Sequence, residues 1–250
     1  MPIEKWVPNP THRQDGDAGA VKLRLFCLPH AGGNASLYRP WRQLFPAHVD
    51  LCPIELPGHG ARLEEPAFRR MAPLVDELAQ ALEPLLSVPF AFFGHSMGAA
   101  IAYEMTQRLQ RPSGPVHLFV SARSAPDPAY EPRALHRLAD GELMAALARM
   151  GGTPAEVLAR KDLMAVLLPG IRADLELIET YVPGAEGRVV CPITALGGAD
   201  DRMIGRHELE AWRGFTTEGF RLHSFPGGHF YLAQSACAVV AEVLRDLNQG

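Results

Sequence analysis

Residues 89–105 read Pro89-Phe90-Ala91-Phe92-Phe93-Gly94-His95-Ser96-Met97-Gly98-Ala99-Ala100-Ile101-Ala102-Tyr103-Glu104-Met105. An apolar, aromatic run meets G-x-S-x-G and passes at once into a helix-forming stretch. This order predicts a strand, a sharp turn that presents Ser96, and a helix, the arrangement called a nucleophile elbow. The turn strains the serine backbone, and the glycines on either side remove Cβ atoms where strand and helix come close. A helix that starts beside the serine aims free N–H groups and its positive dipole end at any oxyanion formed there.

Working outward from the elbow, short β-rich runs alternate with longer helical patterns. The predicted strands are Val21–Leu28, Val49–Ile54, Phe90–Phe93, Val116–Ser121, Ile193–Leu196 and Phe220–Phe225. Alternation of this kind implies an α/β protein with a mostly parallel central sheet covered on both faces. Met71, Leu74, Val75, Leu78, Leu82 and Leu85 share one helical face, with Pro73 tolerable only in the first turn. A last helix is expected from Ala233 to about Leu247. Between about 126 and 187 the pattern is helical without a strand: Leu143, Leu147 and Met150 mark one helix, and Leu163–Leu168 and Ile171–Tyr181 suggest others. An insertion there would sit over the carboxyl ends of the strands, as a lid or as a fixed helical layer. Residues 1 to about 20, rich in proline and polar residues, read as a flexible N-terminal tail, so that one domain spans 21–250.

Bulk properties exclude several classes. With 47% hydrophobic and 21% charged residues the chain is neither disordered nor fibrous. A net charge of −4, with no block of like charges, offers no electrostatic footprint for nucleic acid or an anionic membrane. The absence of an apolar run near ~20 residues and of a leader pattern gives a cytoplasmic location as the default. Cys27, Cys52, Cys191 and Cys237 lack metal-ligand spacing and read as reduced core residues, and no metal or cofactor is expected.

Ser96 needs a base and an acid, in the chain order Ser, Asp or Glu, His for this kind of elbow. His207 lies in a helix-like stretch and His223 inside a strand. His229, after Pro226-Gly227-Gly228, occupies a loop between the last strand and the last helix, from which a base can reach the elbow. Two adjacent carboxylates, Asp200 and Asp201, follow the preceding strand, and Asp201 is the favoured acid with Asp200 as the alternative. The oxyanion donors are expected to be the N–H groups of Met97 and of Ala31, the latter in Pro29-His30-Ala31-Gly32-Gly33. His30 precedes the serine and reads as a wall or hydrogen-bonding residue.

The chain resembles the type II thioesterases that accompany polyketide and nonribosomal peptide synthetases. The resemblance runs over residues 21–235 and is carried by Leu25-Phe26-Cys27-Leu28-Pro29-His30-Ala31-Gly32-Gly33, Tyr38-Arg39-Pro40-Trp41, Leu56-Pro57-Gly58, the elbow, Arg133-Ala134-Leu135-His136-Arg137-Leu138, Gly151-Gly152-Thr153-Pro154, Leu196-Gly197-Gly198 and Phe225-Pro226-Gly227-Gly228-His229-Phe230. It implies an α/β-hydrolase fold with a flexible helical lid. It further implies a thioester hydrolase that removes stalled or wrong acyl groups from the phosphopantetheine arm of acyl or peptidyl carrier proteins, with Ser96, Asp201 and His229 as triad and Ala31 and Met97 as oxyanion donors. A free-standing carboxylesterase or lipase of the same fold is the alternative. Two departures stand out: many relatives looking like this carry Tyr in place of His30 and Arg-Glu in place of His59-Gly60.

Overall fold

A computed structural model describes residues 2–8, 21–110, 114–126, 133–184 and 187–248. Six strands form a single parallel sheet: β1 (Leu23–Leu28), β2 (Val49–Pro53), β3 (Phe90–His95), β4 (His117–Ser121), β5 (Ile193–Gly198) and β6 (Phe220–Phe225), in the order β2-β1-β3-β4-β5-β6. Successive side chains leave opposite faces of a strand, so near-continuous apolar runs feed two cores. Phe26, Leu28, Phe90, Phe92, Leu118 and Val120 enter one; Leu25, Cys27, Ala91, Phe93 and Phe119 enter the other.

The first core is covered by α1 (Ile3–Trp6), α2 (Met71–Leu82) and α3 (Met97–Arg108). Pro73 sits in the first turn of α2, where its missing N–H has no intrahelical partner to lose. The second core is covered by the 3₁₀ segment Ala35–Gln43 and, at the end of the chain, by the helix Leu232–Leu247. The strand order reverses beside β1, which is bordered by β2 on one side and β3 on the other. Ligands bind at such a switch point, outside the carboxyl ends of the strands. Leu28 and His95, the last residues of β1 and β3, lie at that place.

Between β4 and β5 stands the helical insertion: the 3₁₀ turn Leu135–Arg137, α4 (Asp140–Met150), α5 (Ala155–Leu158) and α6 (Lys161–Glu179). It has a core of its own, formed by Leu143, Leu147, Met164, Leu168, Ile171 and Leu175. The chain ends with α7 (Arg206–Glu210) and α8 (Leu232–Leu247).

Three expectations are corrected. Residues 2–8 are not a loose tail, because Trp6 and Val7 are fully buried in the first core. The Arg62 guanidinium stands 4.2 Å over the Trp6 ring, and the Trp6 carbonyl accepts the Glu55 amide hydrogen at 2.8 Å. The remainder of the expected tail, residues 9–20, lies outside the described residues. The two helices expected around Leu163–Tyr181 are one: α6 runs through Pro169, which forfeits a single backbone hydrogen bond in a helix held by its packed face. Finally, Cys27, Cys52 and Cys191 are buried, but Cys237 is exposed on the outer side of α8.

Candidate active site

The elbow forms because three elements converge within a few residues. Ser96 has φ of 55° and ψ of −114°, a strained conformation for a residue with a side chain. It is held from two sides: its amide donates to the Ser121 carbonyl of β4 at 2.8 Å, and its carbonyl accepts from Ala99 in the first turn of α3 at 3.0 Å. A Cβ on Gly94 would strike the backbone of Gly98 and Ala99, and one on Gly98 would strike the Leu28 carbonyl. The spacing of the motif thus reflects the close contact of β1, β3 and α3.

Ser96, Asp201 and His229, which are far apart in sequence, meet at this point. His229 Nε2 lies 3.1 Å from Ser96 Oγ, and Nδ1 lies 2.8 Å from Asp201 Oδ2. A carboxylate only accepts, so Nδ1 carries the hydrogen and Nε2 is left as the acceptor for the serine hydroxyl. The second Asp201 oxygen, Oδ1, accepts the amide hydrogens of Met203 at 2.8 Å and Ile204 at 3.2 Å. Burial works to raise the pKa of Asp201, but the His229 hydrogen bond and these two amides bring it below the ordinary carboxylate value. Asp200 is exposed, its neighbour side chain taking the inward direction.

His229 is surrounded by rings. His30 packs edge-on to Phe230, and His95 lies 5.6 Å from the His229 ring, centroid to centroid. Burial, with the nearby His229, lowers the pKa of both His30 and His95, the latter far below its ordinary value. Both stay neutral near pH 7, so a positive charge formed at His229 has no charged imidazole beside it. The His95 Nδ1 also bonds to Ser121 Oγ at 2.8 Å, and this hydroxyl to the Tyr231 phenol at 2.7 Å. His30 Nδ1 donates to the Ala31 carbonyl at 2.9 Å, the hydrogen-bonding role anticipated for it. His207 lies on α7, and His223 on β6 is near Glu242 and Asp246 of α8, remote from the serine in role and contacts.

The Ala31 amide lies in the turn after β1 and the Met97 amide at the first position of α3; neither has an acceptor among the described residues. A cleft of about 460 Å³ opens beside His229, with Asp201 and Met203 on one side and Leu135, Ala146 and Met150 of the insertion on the other. Among the described residues no group of His, Cys, Asp or Glu side chains could hold a metal ion, and no helix is long and apolar enough to cross a membrane.

One polar cluster beside the site was not anticipated. Asp174 on α6 is buried; its Oδ2 accepts the Gly32 amide hydrogen at 2.7 Å, and His59 Nε2 lies 3.0 Å from the same oxygen. Burial works to lower the His59 pKa, but the Asp174 carboxylate, aided by Glu55, raises it above the ordinary value. The neighbouring Gly60 has φ of +47°, and a Cβ there would land on the Glu55 carboxylate. A side chain at position 60 would therefore have to adopt this positive φ and push the Glu55 carboxylate aside, which makes glycine the unstrained choice there.

A hydroxyl, an imidazole and a carboxylate in line, beside two unpaired amides at the end of a parallel sheet, define the serine-hydrolase class on an α/β fold. The thioesterase domain family matches residues 23–249, and the chain belongs to that family: it is a thioester hydrolase. It is 37% identical over 247 residues to the gramicidin S biosynthesis protein GrsT of Aneurinibacillus migulanus, covering 98% of this chain and 94% of that one. Its fold is similar to that of the type II thioesterase BorB from the borrelidin biosynthetic cluster (34% identity, TM-score 0.86, covering 96% and 97% of the two chains). It is similar also to the thioesterase RedJ from the prodiginine pathway of Streptomyces coelicolor (37%, TM-score 0.82, 96% and 92%).

Proposed function

We propose that the enzyme hydrolyses acyl groups from the phosphopantetheine thioester of acyl or peptidyl carrier proteins, in trans, during polyketide or nonribosomal peptide synthesis in the cytoplasm. The observation that carries the chemistry is the continuous Ser96–His229–Asp201 hydrogen-bond line. Ser96 Oγ attacks the thioester carbonyl while His229 Nε2 takes its proton; Asp201 steadies the imidazolium. The tetrahedral oxyanion is met by the Ala31 and Met97 N–H groups. Collapse expels the thiol, which leaves with the proton from His229, and a water activated by the same imidazole then releases the acid from the acyl-serine. The side chains present supply every proton transfer, so the cycle needs no cofactor.

The insertion walls the cleft beside His229 and serves as a lid over the acyl chain. Similarity to proteins of antibiotic and prodiginine pathways supports carrier-bound substrates over simple esters. The test compares an acyl carrier protein with a matched simple ester and with free acyl-pantetheine. Preference for the carrier substrate is expected, and Ser96→Ala should lose roughly 10⁶ in kcat with the fold intact. Equal or better turnover of the simple ester would favour an esterase.

A further inference from the structure

We propose that Asp174 is a positioning residue for the oxyanion loop, and that through it the seating of α6 governs whether that loop is competent. The inference rests on the reading of Ser96 as nucleophile and of the Ala31 amide as an oxyanion donor. Residues His30 to Gly33 form a tight turn closed by the Gly33 amide on the His30 carbonyl at 2.9 Å. With φ of +76° at Gly32, the turn is of type II. A type II turn converts to type I when its central peptide, here Ala31–Gly32, rotates. That peptide is held at both ends: the Ala31 carbonyl accepts from His30 Nδ1 at 2.9 Å, and the Gly32 N–H donates to Asp174 Oδ2 at 2.7 Å.

The first of these contacts is local to the turn. The second comes from 142 residues away, on a helix of the insertion. Asp174 is itself held by His59, from the loop after β2; among the described residues the acidic groups that act on the His59 ring are Asp174 and Glu55, and His30 and Arg62 are the nearby bases of the cluster. Next to Asp174 on α6, Ile171 packs directly on Gly32. The carboxylate thus fixes the orientation of the peptide that follows the donor residue Ala31. When α6 departs, the Gly32 amide loses its acceptor and the Ala31–Gly32 peptide can rotate, so that Ala31, whose own N–H lies on the preceding peptide, is placed by the local contacts of the turn alone.

The test uses the full chain with a small acyl thioester, thiol release being followed. Inhibition by a trifluoromethyl ketone is measured in parallel, because its Ser96 adduct carries a tetrahedral oxyanion. Removing one oxyanion donor outright costs about 10²–10³ in kcat, and misplacing one costs less. Asp174→Ala should therefore lower kcat and ketone affinity in parallel, by roughly 10- to 100-fold, with KM changed little. Asp174→Asn should restore both to within about fivefold, because its carbonyl oxygen can accept from Gly32 while its NH₂ donates to neutral His59. If Asp174→Ala does not fold, the double variant His59→Phe, Asp174→Leu fills the site with apolar groups and carries the same comparison.

A folded variant without the acceptor that turns over like wild type would overturn the proposal. So would a loss confined to KM with ketone affinity intact, or an Asn variant as impaired as the Ala one. Labelling by a fluorophosphonate separates the two levels. Absence of label on Ser96 in the wild type defeats the reading of the nucleophile, whereas normal labelling with unchanged Asp174→Ala turnover defeats only the positioning role.

Discussion

Asp201→Asn tests the acid with almost no change of shape, and the structure dictates how the new amide must lie. Oδ1 of Asp201 faces two N–H donors, from Met203 and Ile204, while Oδ2 faces His229. An asparagine keeps its oxygen toward the two amides, since the opposite orientation would set an NH₂ against two N–H groups. Its NH₂ therefore points at His229 Nδ1, which must then be the bare acceptor nitrogen. The hydrogen moves to Nε2, the atom 3.1 Å from Ser96 Oγ, and the imidazole can no longer take the serine proton. A loss of about 10⁴ in kcat is expected, which at 1.36 kcal/mol per tenfold is about 5.4 kcal/mol of transition-state stabilisation. The assay is thiol release from an acyl thioester, alongside circular dichroism to establish the fold. Asp200→Asn, at an exposed position, should remain within about threefold of wild type in the same experiment. Asp201→Asn retaining a tenth or more of wild-type turnover, or Asp200→Asn losing as much, would refute the tautomer argument.

Trp6→Ala should destabilise the enzyme by about 3–5 kcal/mol, read by urea unfolding, because a fully buried ring under Arg62 is removed; a loss below about 1 kcal/mol would mean that the N-terminal segment contributes no core packing. His59 has a folded-state pKa raised above its unfolded value, so its contribution to stability is complete below the unfolded pKa and fades as pH rises through the folded one. The gap in Tm between wild type and His59→Gln should accordingly be wider at about pH 6 than at about pH 9, and a gap that widens with pH would contradict the ion pair with Asp174. Within the insertion, α6 is tied to the body by Asp174 and by Glu176, which pairs with Arg69 and Arg70, whereas α4 and α5 rest on α6 through their own small core. Amide exchange should be faster over 140–158 than over 168–179, and should slow there on binding a non-hydrolysable acyl-pantetheine; uniform slow exchange, unaltered by ligand, would make the insertion a fixed wall.

All six strands were legible because a parallel sheet buries both faces of each strand and leaves a dense apolar signature. Their ends were less so. β3 and β5 run on through Gly94-His95 and Gly197-Gly198, where glycine reads as a turn but is used for close packing. The elbow and His229 were visible from local order alone. The choice between Asp200 and Asp201 was not, since adjacent residues in a loop have no periodicity; it is the Met203 and Ile204 amides that aim Asp201 inward. Trp6 lay among prolines and polar residues, and only a tertiary contact with Arg62 and the first core reveals its burial. Asp174 was hidden for the same reason. On α6 it stands among Arg172, Glu176 and Glu179, which look like a solvated face, and its partners are 115 and 142 residues away.

The Glu55–Gly60 contact couples two positions of this loop. A side chain at position 60 must adopt a positive φ and displace the Glu55 carboxylate, which would then give up the Ala35 amide hydrogen it accepts. A shorter residue at position 55 vacates that space, after which position 60 can accept a longer one, subject to its positive φ. Positions 55 and 60 therefore answer to one another: a longer residue in the loop is felt, through the carboxylate, at the start of the Ala35–Gln43 segment that Glu55 holds.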